Sequence, residues 1–526
     1  MRDILFYNGK IHTMNSETDV KSYMIVSDDR IKAIGKGVPK GRYKRIDLQG
    51  KHIYPCLIDS HVHMLLTIAV MAMGFNICEI TKDGVEPNTI LGIEEKIREY
   101  VKDKPKKKII AMNGYILSSI DEGRMPNKDE LDLWGEGRPI IIYNIDGHST
   151  ALSSSMLKKL KIDPSTTNGV LQGEDNERVQ GRITDLIASQ IGLKELAKGI
   201  ATFQNTCASY GICMVGALEG NGDSEKDSTT NLLVKFAKHF DIDVKLFLQY
   251  FDVNRVMKFE HLMKDRRIGG CGDWEMDGAV GAHSSSMSIP FKDTNTYSDC
   301  YYTEEEVDDV VRECFSMDYQ IISHAIGDRA IDRILSSYEK YHSNRINRIE
   351  HCEFLTDSEL KRIAKNNIAV SMQPGYAWID KRYLKTYEKF LDEVVVNRMK
   401  LKSIYDKGIL LCGSSDSPVQ DLDPYLQMLG MVDFYKGKES LSNYEAFKTY
   451  TVYPAKFLGE EENYGTLNEG SIASFFTSKE DFFSIGKDEV VSFRPEETYI
   501  KGKKYRVKSE NVMGLILSLF TKSKLL

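Results

Sequence analysis

Apolar positions along this chain fall into three textures. Over the first fifty residues they form short runs, Asp3–Tyr7, Ile11–Met14, Ser22–Val26 and Ile31–Ile34, ending near Ile46-Asp47-Leu48. That is the spacing of short β-strands. Asn8-Gly9 between the first two runs is a hairpin signal. The end of the chain repeats the texture over residues 465–476 and 498–505. Pairing of these segments predicts one small β-sandwich-like domain built from both termini, residues 1–54 and 451–526.

Between them, near-continuous apolar strands alternate with helical stretches. Gln320-Ile321-Ile322-Ser323 precedes a helix-like run from Asp328 to Tyr341, with Asp328 as its expected N-cap. Arg348-Ile349-Glu350 precedes Thr356-Asp357-Ser358-Glu359, a capping-box pattern opening a helix toward Lys365. Ile368–Met372 and Gly408–Cys412 continue the series. Repeated β-α units with strands apolar on both faces imply a parallel sheet. The economical closure is an α/β fold, a (β/α)8 TIM-like barrel over residues 55–450, whose site sits at the C-terminal strand ends. Residues from about 75 to 200 break the rhythm and predict an insertion, with the basic run 102–108 as a solvated loop.

Composition narrows the class. A chain of 526 residues holds about three domains, or one large barrel with an accessory domain. Hydrophobic residues at 41% and charged residues at 28% are ordinary for a globular protein. A net charge of −7 argues against a nucleic-acid surface. The nine cysteines are scattered and form no Cys-x-x-Cys, which points to a reducing, cytoplasmic setting. No run reaches the roughly 18–20 apolar residues of a membrane span. The shorter apolar stretch 511–520 is expected to dock on its own or a partner subunit, and leans toward a homodimer.

Chemistry concentrates at strand ends. The apolar run Pro55-Cys56-Leu57-Ile58-Asp59-Ser60 stops at His61-Val62-His63. In a strand the two imidazoles point the same way and can chelate a divalent metal. His324, His351 and Asp416 stand just past later strands. Each alone is as well read as a structural histidine or a turn aspartate. Together they form a donor set of imidazole and carboxylate suited to Zn2+, or less selectively to Mn2+ or Fe2+. Cys352, beside His351, is expected to face the surrounding helices.

With these motifs in view the chain resembles the amidohydrolase superfamily, and within it amidohydrolase family 3, which includes N-substituted formamide deformylases. The resemblance is carried by residues 55–63, Asp146-Gly147-His148-Ser149, residues 323–330, Arg348-Ile349-Glu350-His351-Cys352 and residues 413–419. It implies a metal-dependent hydrolase acting on a small molecule. His148 becomes a pocket residue contributed by the insertion, and Asp416, His324 and His148 are the catalytic candidates. The family commonly carries on the fourth strand a lysine that bridges two metals. No lysine is present over residues 272–281. Asp273, Glu275 and Asp277 alternate onto one face there, and Glu275, with Asp273 second, is the expected substitute. Otherwise the carboxylates orient neighbours and one metal binds.

The metal set expected from the resemblance is therefore His61, His63, Glu275, His324, His351 and Asp416, holding one or two ions. Asp416 takes the proton of the attacking water and passes it to the leaving nitrogen. Gln373, Tyr376, Trp378 and Tyr115 are candidate pocket walls. A deaminase or cyclic-amide hydrolase uses the same scaffold, and a non-catalytic scaffold or regulator is the alternative of another class.

Overall fold

The computed structural model describes residues 3–518 apart from 74–75, 82–83, 105–107, 225–226 and 436. Its centre is eight parallel strands hydrogen-bonded in sequence order: β1 Leu57–Val62, β2 Ile212–Glu219, β3 Asp243–Leu248, β4 Arg267–Glu275, β5 Gln320–Ala325, β6 Arg348–His351, β7 Ala369–Met372 and β8 Leu411–Gly413. β1 and β8 meet beyond the end of β8. Asp416 N–H donates to His61 O at 3.0 Å and His63 N–H to Ser417 O at 2.9 Å. This closure is the TIM-like barrel that the alternating pattern implies.

β1, β3 and β5 are buried at every position, as strands covered on both faces must be. Helices such as Glu304–Ser316 and Asp357–Lys365 turn an apolar stripe inward. Thr356 and Glu359 form the expected reciprocal capping box. Asp328 is not the N-cap of its helix. Gly327 takes that position, and the Asp328 carboxylate accepts from Ser288 N–H at 2.9 Å and pairs with Arg398 at 2.6 Å.

β4 is irregular. It runs in register with β5 through Gly270 opposite Ser323, and the next pair is Glu275 opposite His324. Four residues, Cys271 to Trp274, therefore bulge out where the neighbour advances by one. Gly269 and Gly270 have φ of +107° and +128°. A Cβ on Gly269 would lie 1.9 Å from Ile322 O, so only glycine permits this approach.

The segment between β1 and β2 carries its own four-stranded sheet, in the order Val170–Gln172, Ser149–Leu152, Ile140–Asn144, Ile110–Tyr115. Asp146-Gly147-His148 is the turn between its antiparallel central strands, with Gly147 at φ +78°.

The ends of the chain join in one hydrogen-bonded sheet of eight strands, in which Phe475–Ser478 lies antiparallel to His52–Pro55. Asn8-Gly9 makes no hairpin. One strand, Ile4–His12, continues through it, and Asn8 at φ +58° marks a shift of register against Val20–Ser27. A Cβ on Gly9 would come within 2.7 Å of Lys51 O, so the glycine serves strand packing here. The chain reverses instead over residues 13–19, pairing Ile4–His12 antiparallel with Val20–Ser27, which in turn forms a hairpin with Arg30–Gly35.

The C-terminal stretch docks on its own chain. Asn205 accepts from Lys508 N–H at 2.8 Å and donates to Lys508 O at 2.9 Å, and Val512 packs on the barrel core. The middle of the basic run, 105–107, and residues 519–520 of the apolar stretch lie outside the described residues.

Candidate metal centre

At the C-terminal end of the barrel, strand geometry gathers imidazoles. His61 and His63, two apart at the end of β1, share a face, with ring centroids 5.3 Å apart. His351 at the end of β6 lies 5.3 Å from His61 and 4.4 Å from His324 at the end of β5. Asp416 arrives from the turn after β8, its Oδ1 3.0 Å from His61 Nε2 and 3.2 Å from His63 Nε2. His351 and Asp416 both hold left-handed backbone, φ +65° and +57°. Such strain in non-glycine residues concentrates at functional sites.

Between the histidines stands a residue that the sequence reading missed. Cys271 Sγ, carried inward by the β4 bulge, lies 3.7 Å from His61 Nε2, 3.9 Å from His324 Nδ1 and 4.0 Å from His351 Nε2. Glu275 lies elsewhere. Its Oε1 accepts from Gly272 N–H at 3.0 Å, and its Oε2 is 3.9 Å from His148 Nδ1. Asp273 accepts from Gly222 N–H and Phe251 N–H, and Asp277 from three backbone N–H groups of the loops after β4 and β5. These two carboxylates hold loops. Cys271 had a visible signal: it shares odd parity with Asp273, Glu275 and Asp277, one residue before the stretch searched for a lysine.

The donor set fits a divalent metal. Ligand atoms about 2.0–2.3 Å from one tetrahedral zinc lie roughly 3.3–3.6 Å apart, close to the Asp416, His61 and Cys271 spacings. Asp416 Oδ1, buried and facing His61 and His63, has no hydrogen-bond partner among the described residues, and buried polar atoms are normally satisfied. His324 turns Nδ1 toward Cys271 and Nε2 toward Asp277 Oδ1, 3.6 Å away. The outer partners are also in place. His61 Nδ1 is 2.7 Å from Glu350 Oε2, and Glu350 is paired with buried Arg348. His351 Nδ1 is 2.8 Å from Gln373 Oε1. Since both of these oxygens accept, both Nδ1 atoms carry the proton and both Nε2 atoms are left to ligate.

Charge follows the same layout. Burial disfavours the charged form of Asp416, but His61 and His63 outweigh it and hold the carboxyl well below its usual range. Burial likewise opposes charge on His61, yet Asp416 and Glu350 push its pKa up to about 9. Burial, with the neighbouring imidazoles of His351 and His148, holds His324 well below the ordinary value. For Glu350, burial is overcome by Arg348 and His61, which lower it to about 2. A Glu350→Gln substitution leaves Arg348 buried without its counter-charge. It is expected to cost about 3–5 kcal/mol of stability and to weaken metal binding about 10–100-fold. Denaturant melts and metal titration check both, and an unchanged metal affinity would remove Glu350 from the positioning role.

A cavity of about 210 Å³ opens beside these residues, and His63, His148, Cys271, His324, His351 and Asp416 all line it. His148 enters from the insertion, 5.3 Å from the His324 ring, with Nδ1 3.0 Å from Glu177 Oε1. Burial lowers the His148 pKa, but Glu177 and Glu275 push it up to about 10. Gln373 and Tyr376 line the cavity. Trp378 instead bonds Asp433, Tyr115 is buried in the insertion's own core, and Cys352 is packed in the barrel core.

Glu219, at the end of β2, accepts from Leu65 N–H at 3.0 Å. Burial raises its pKa from 4.5 to about 8. Between those values the folded chain holds a proton that the unfolded chain has released, so its stabilising contribution is complete below pH 4.5 and is lost as pH rises through 8. Glu219→Gln is therefore expected to melt like the wild type near pH 4.5 and above it near pH 8. Equal melting temperatures across that range would contradict the assignment.

A model described as the amidohydrolase family matches residues 44–504. The protein YtcJ of Bacillus subtilis (strain 168) is 24% identical over 95% of this chain and 98% of its own length. An N-substituted formamide deformylase of Arthrobacter pascens is 20% identical over 95% of this chain and 98% of its own. Among solved structures, an uncharacterized metal-dependent hydrolase from Pyrococcus horikoshii OT3 superposes with a TM-score of 0.70 at 21% identity, covering 92% of this chain and 99% of that one.

Proposed function

Because the chain belongs to the amidohydrolase family, we propose that it hydrolyses a non-peptide carbon–nitrogen bond, in a linear amide or an N-acyl or N-formyl amine. The observation that carries this reading is the single Asp416 oxygen facing both His61 and His63 at 3.0 and 3.2 Å, at the wall of the cavity. The similarity to a protein named as a formamide deformylase supports the choice of bond.

His61, His63, Cys271, His324, His351 and Asp416 are the residues that would hold the metal. Cys271, within about one ligand spacing of three histidines, would hold the metal in the place first expected of Glu275, and a thiolate donor would favour zinc. A divalent ion supplies Lewis acidity toward the carbonyl and a water acidified to a pKa of about 7. Asp416 would receive the proton of the attacking water on its carboxylate and deliver it to the leaving nitrogen. His148 lines the cavity beside His324, where it can donate a hydrogen bond to the substrate carbonyl. Glu350 and Gln373 hold the His61 and His351 rings in place. The products are a carboxylic acid and an amine, so one water is consumed and no other reactant is needed.

The test is a screen of N-formyl and N-acyl amines, dipeptides, cyclic imides and aminopurines with protein purified without chelators. Amine release from an acylated or formylated amine, with at least one equivalent of bound metal, is the result expected. Ammonia released from aminopurines alone would establish the deaminase alternative, and less than half an equivalent of metal would remove the metal-hydrolase reading.

A further inference from the structure

The cavity has a one-sided charge. No lysine or arginine lines it among the described residues, whereas Asp146, Glu177, Asp185, Glu219, Glu275 and Glu353 do, beside Asp416. Leu65 N–H donates to Glu219, Ser224 O–H to Asp185 and Tyr387 O–H to Glu353.

The other three converge on His148 from three separate elements, each with one donor already: His148 N–H for Asp146, Asn176 Nδ2–H for Glu177 and Gly272 N–H for Glu275. Asp146 comes from the insertion's hairpin turn, Glu177 from the helix Glu174–Ala188 and Glu275 from the end of β4. Asp146 Oδ2 and Glu275 Oε2 are buried with no hydrogen-bond partner among the described residues. His148 is the basic group among them, already 3.0 Å from Glu177. One imidazole faces three carboxyl groups.

A neutral donor placed here satisfies one oxygen but brings no charge to the carboxyl groups, and an anionic group meets like charge. A cation with several N–H donors satisfies them with charge-assisted bonds. We propose that the substrate carries a protonated nitrogen, an ammonium or guanidinium, on the arm that reaches Asp146, Glu177 and Glu275. This rests on the hydrolase reading above and names its substrate class: an acylated amine with a second, cationic nitrogen.

The experiment compares three chain-matched compounds: N-acetyl-1,4-diaminobutane (cationic), N-acetylbutylamine (neutral) and N-acetyl-4-aminobutyrate (anionic). Turnover is measured with the metal-replete wild type, and binding by calorimetry to both the metal-stripped wild type and the metal-replete Asp416→Asn protein. The cationic compound is expected to exceed the neutral one by about tenfold or more in kcat/KM and in affinity, with the anionic one weakest. Glu177→Gln and Glu275→Gln should each erase most of that ratio and leave metal content at the wild-type value.

Equal binding of the cationic and neutral compounds overturns the proposal, whatever the turnover. Loss of a metal equivalent in either variant also overturns it, because the carboxylates would then serve a metal ion. Selective binding of the cation with no hydrolysis of any compound supports the cationic subsite and counts against the hydrolase reading.

Discussion

An Asp416→Asn protein is expected to keep its metal and lose about 10³-fold or more in kcat, since Asp416 acts both as base and as acid. Asparagine preserves the shape of the side chain and an oxygen acceptor, but it cannot take a proton from water or return one to a leaving nitrogen. The remaining donors, His61, His63, Cys271, His324 and His351, stay within reach of one another. The loss should therefore fall on kcat rather than on KM, with metal content near the wild-type value. A variant that turned over at the wild-type rate would show that another group moves the proton.

Cys271→Ala is expected to have the larger effect on the metal itself. Losing an outer-shell partner costs about 10–100-fold in affinity, and Cys271 touches three histidines directly. Metal affinity should fall by more than that range, with at least one equivalent lost on gel filtration. Cys271→Ser, which keeps a weaker donor, should lie between. In cobalt-substituted protein the sulfur-to-cobalt charge-transfer band should be present in the wild type and absent from both variants. An unchanged band with unchanged stoichiometry would place Cys271 outside the metal's reach.

The barrel was legible because its strands obey a simple rule: residues buried on both faces must be apolar almost without interruption, as in Gln320–Ala325. The helix after β6 was legible down to its cap, since Thr356 and Glu359 interact within four residues of chain. Local signals failed where distant chain intervened. Asn8-Gly9 reads as a hairpin, but Leu48 and Lys51 pack on that glycine and the strand runs on. Asp328 reads as a cap, yet Arg398, 70 residues away, claims its carboxylate.

The centre shows the same division. His61 and His63 are a two-residue period, visible in any extended strand. On the fourth strand only the shared parity of Cys271, Asp273, Glu275 and Asp277 was visible, not the choice among them, because alternation assumes an even ladder and Gly269, Gly270 and Gly272 break it. The bulge brings Cys271 among the imidazoles and sends Glu275 to His148 and Glu177. No sequence pattern specifies how far a glycine-rich strand will bow; the close approach to Ile322 O decides it.

The most direct measurement is the hydrolysis rate of a substrate found in the screen, followed as zinc is added back to chelator-stripped protein. The rate is expected to start near zero, rise in proportion to added zinc and level off at one or two equivalents per chain, with Cys271→Ala showing no such rise. Full activity in the stripped protein, before any metal is returned, would contradict a metal-dependent hydrolase built on His61, His63, Cys271, His324, His351 and Asp416.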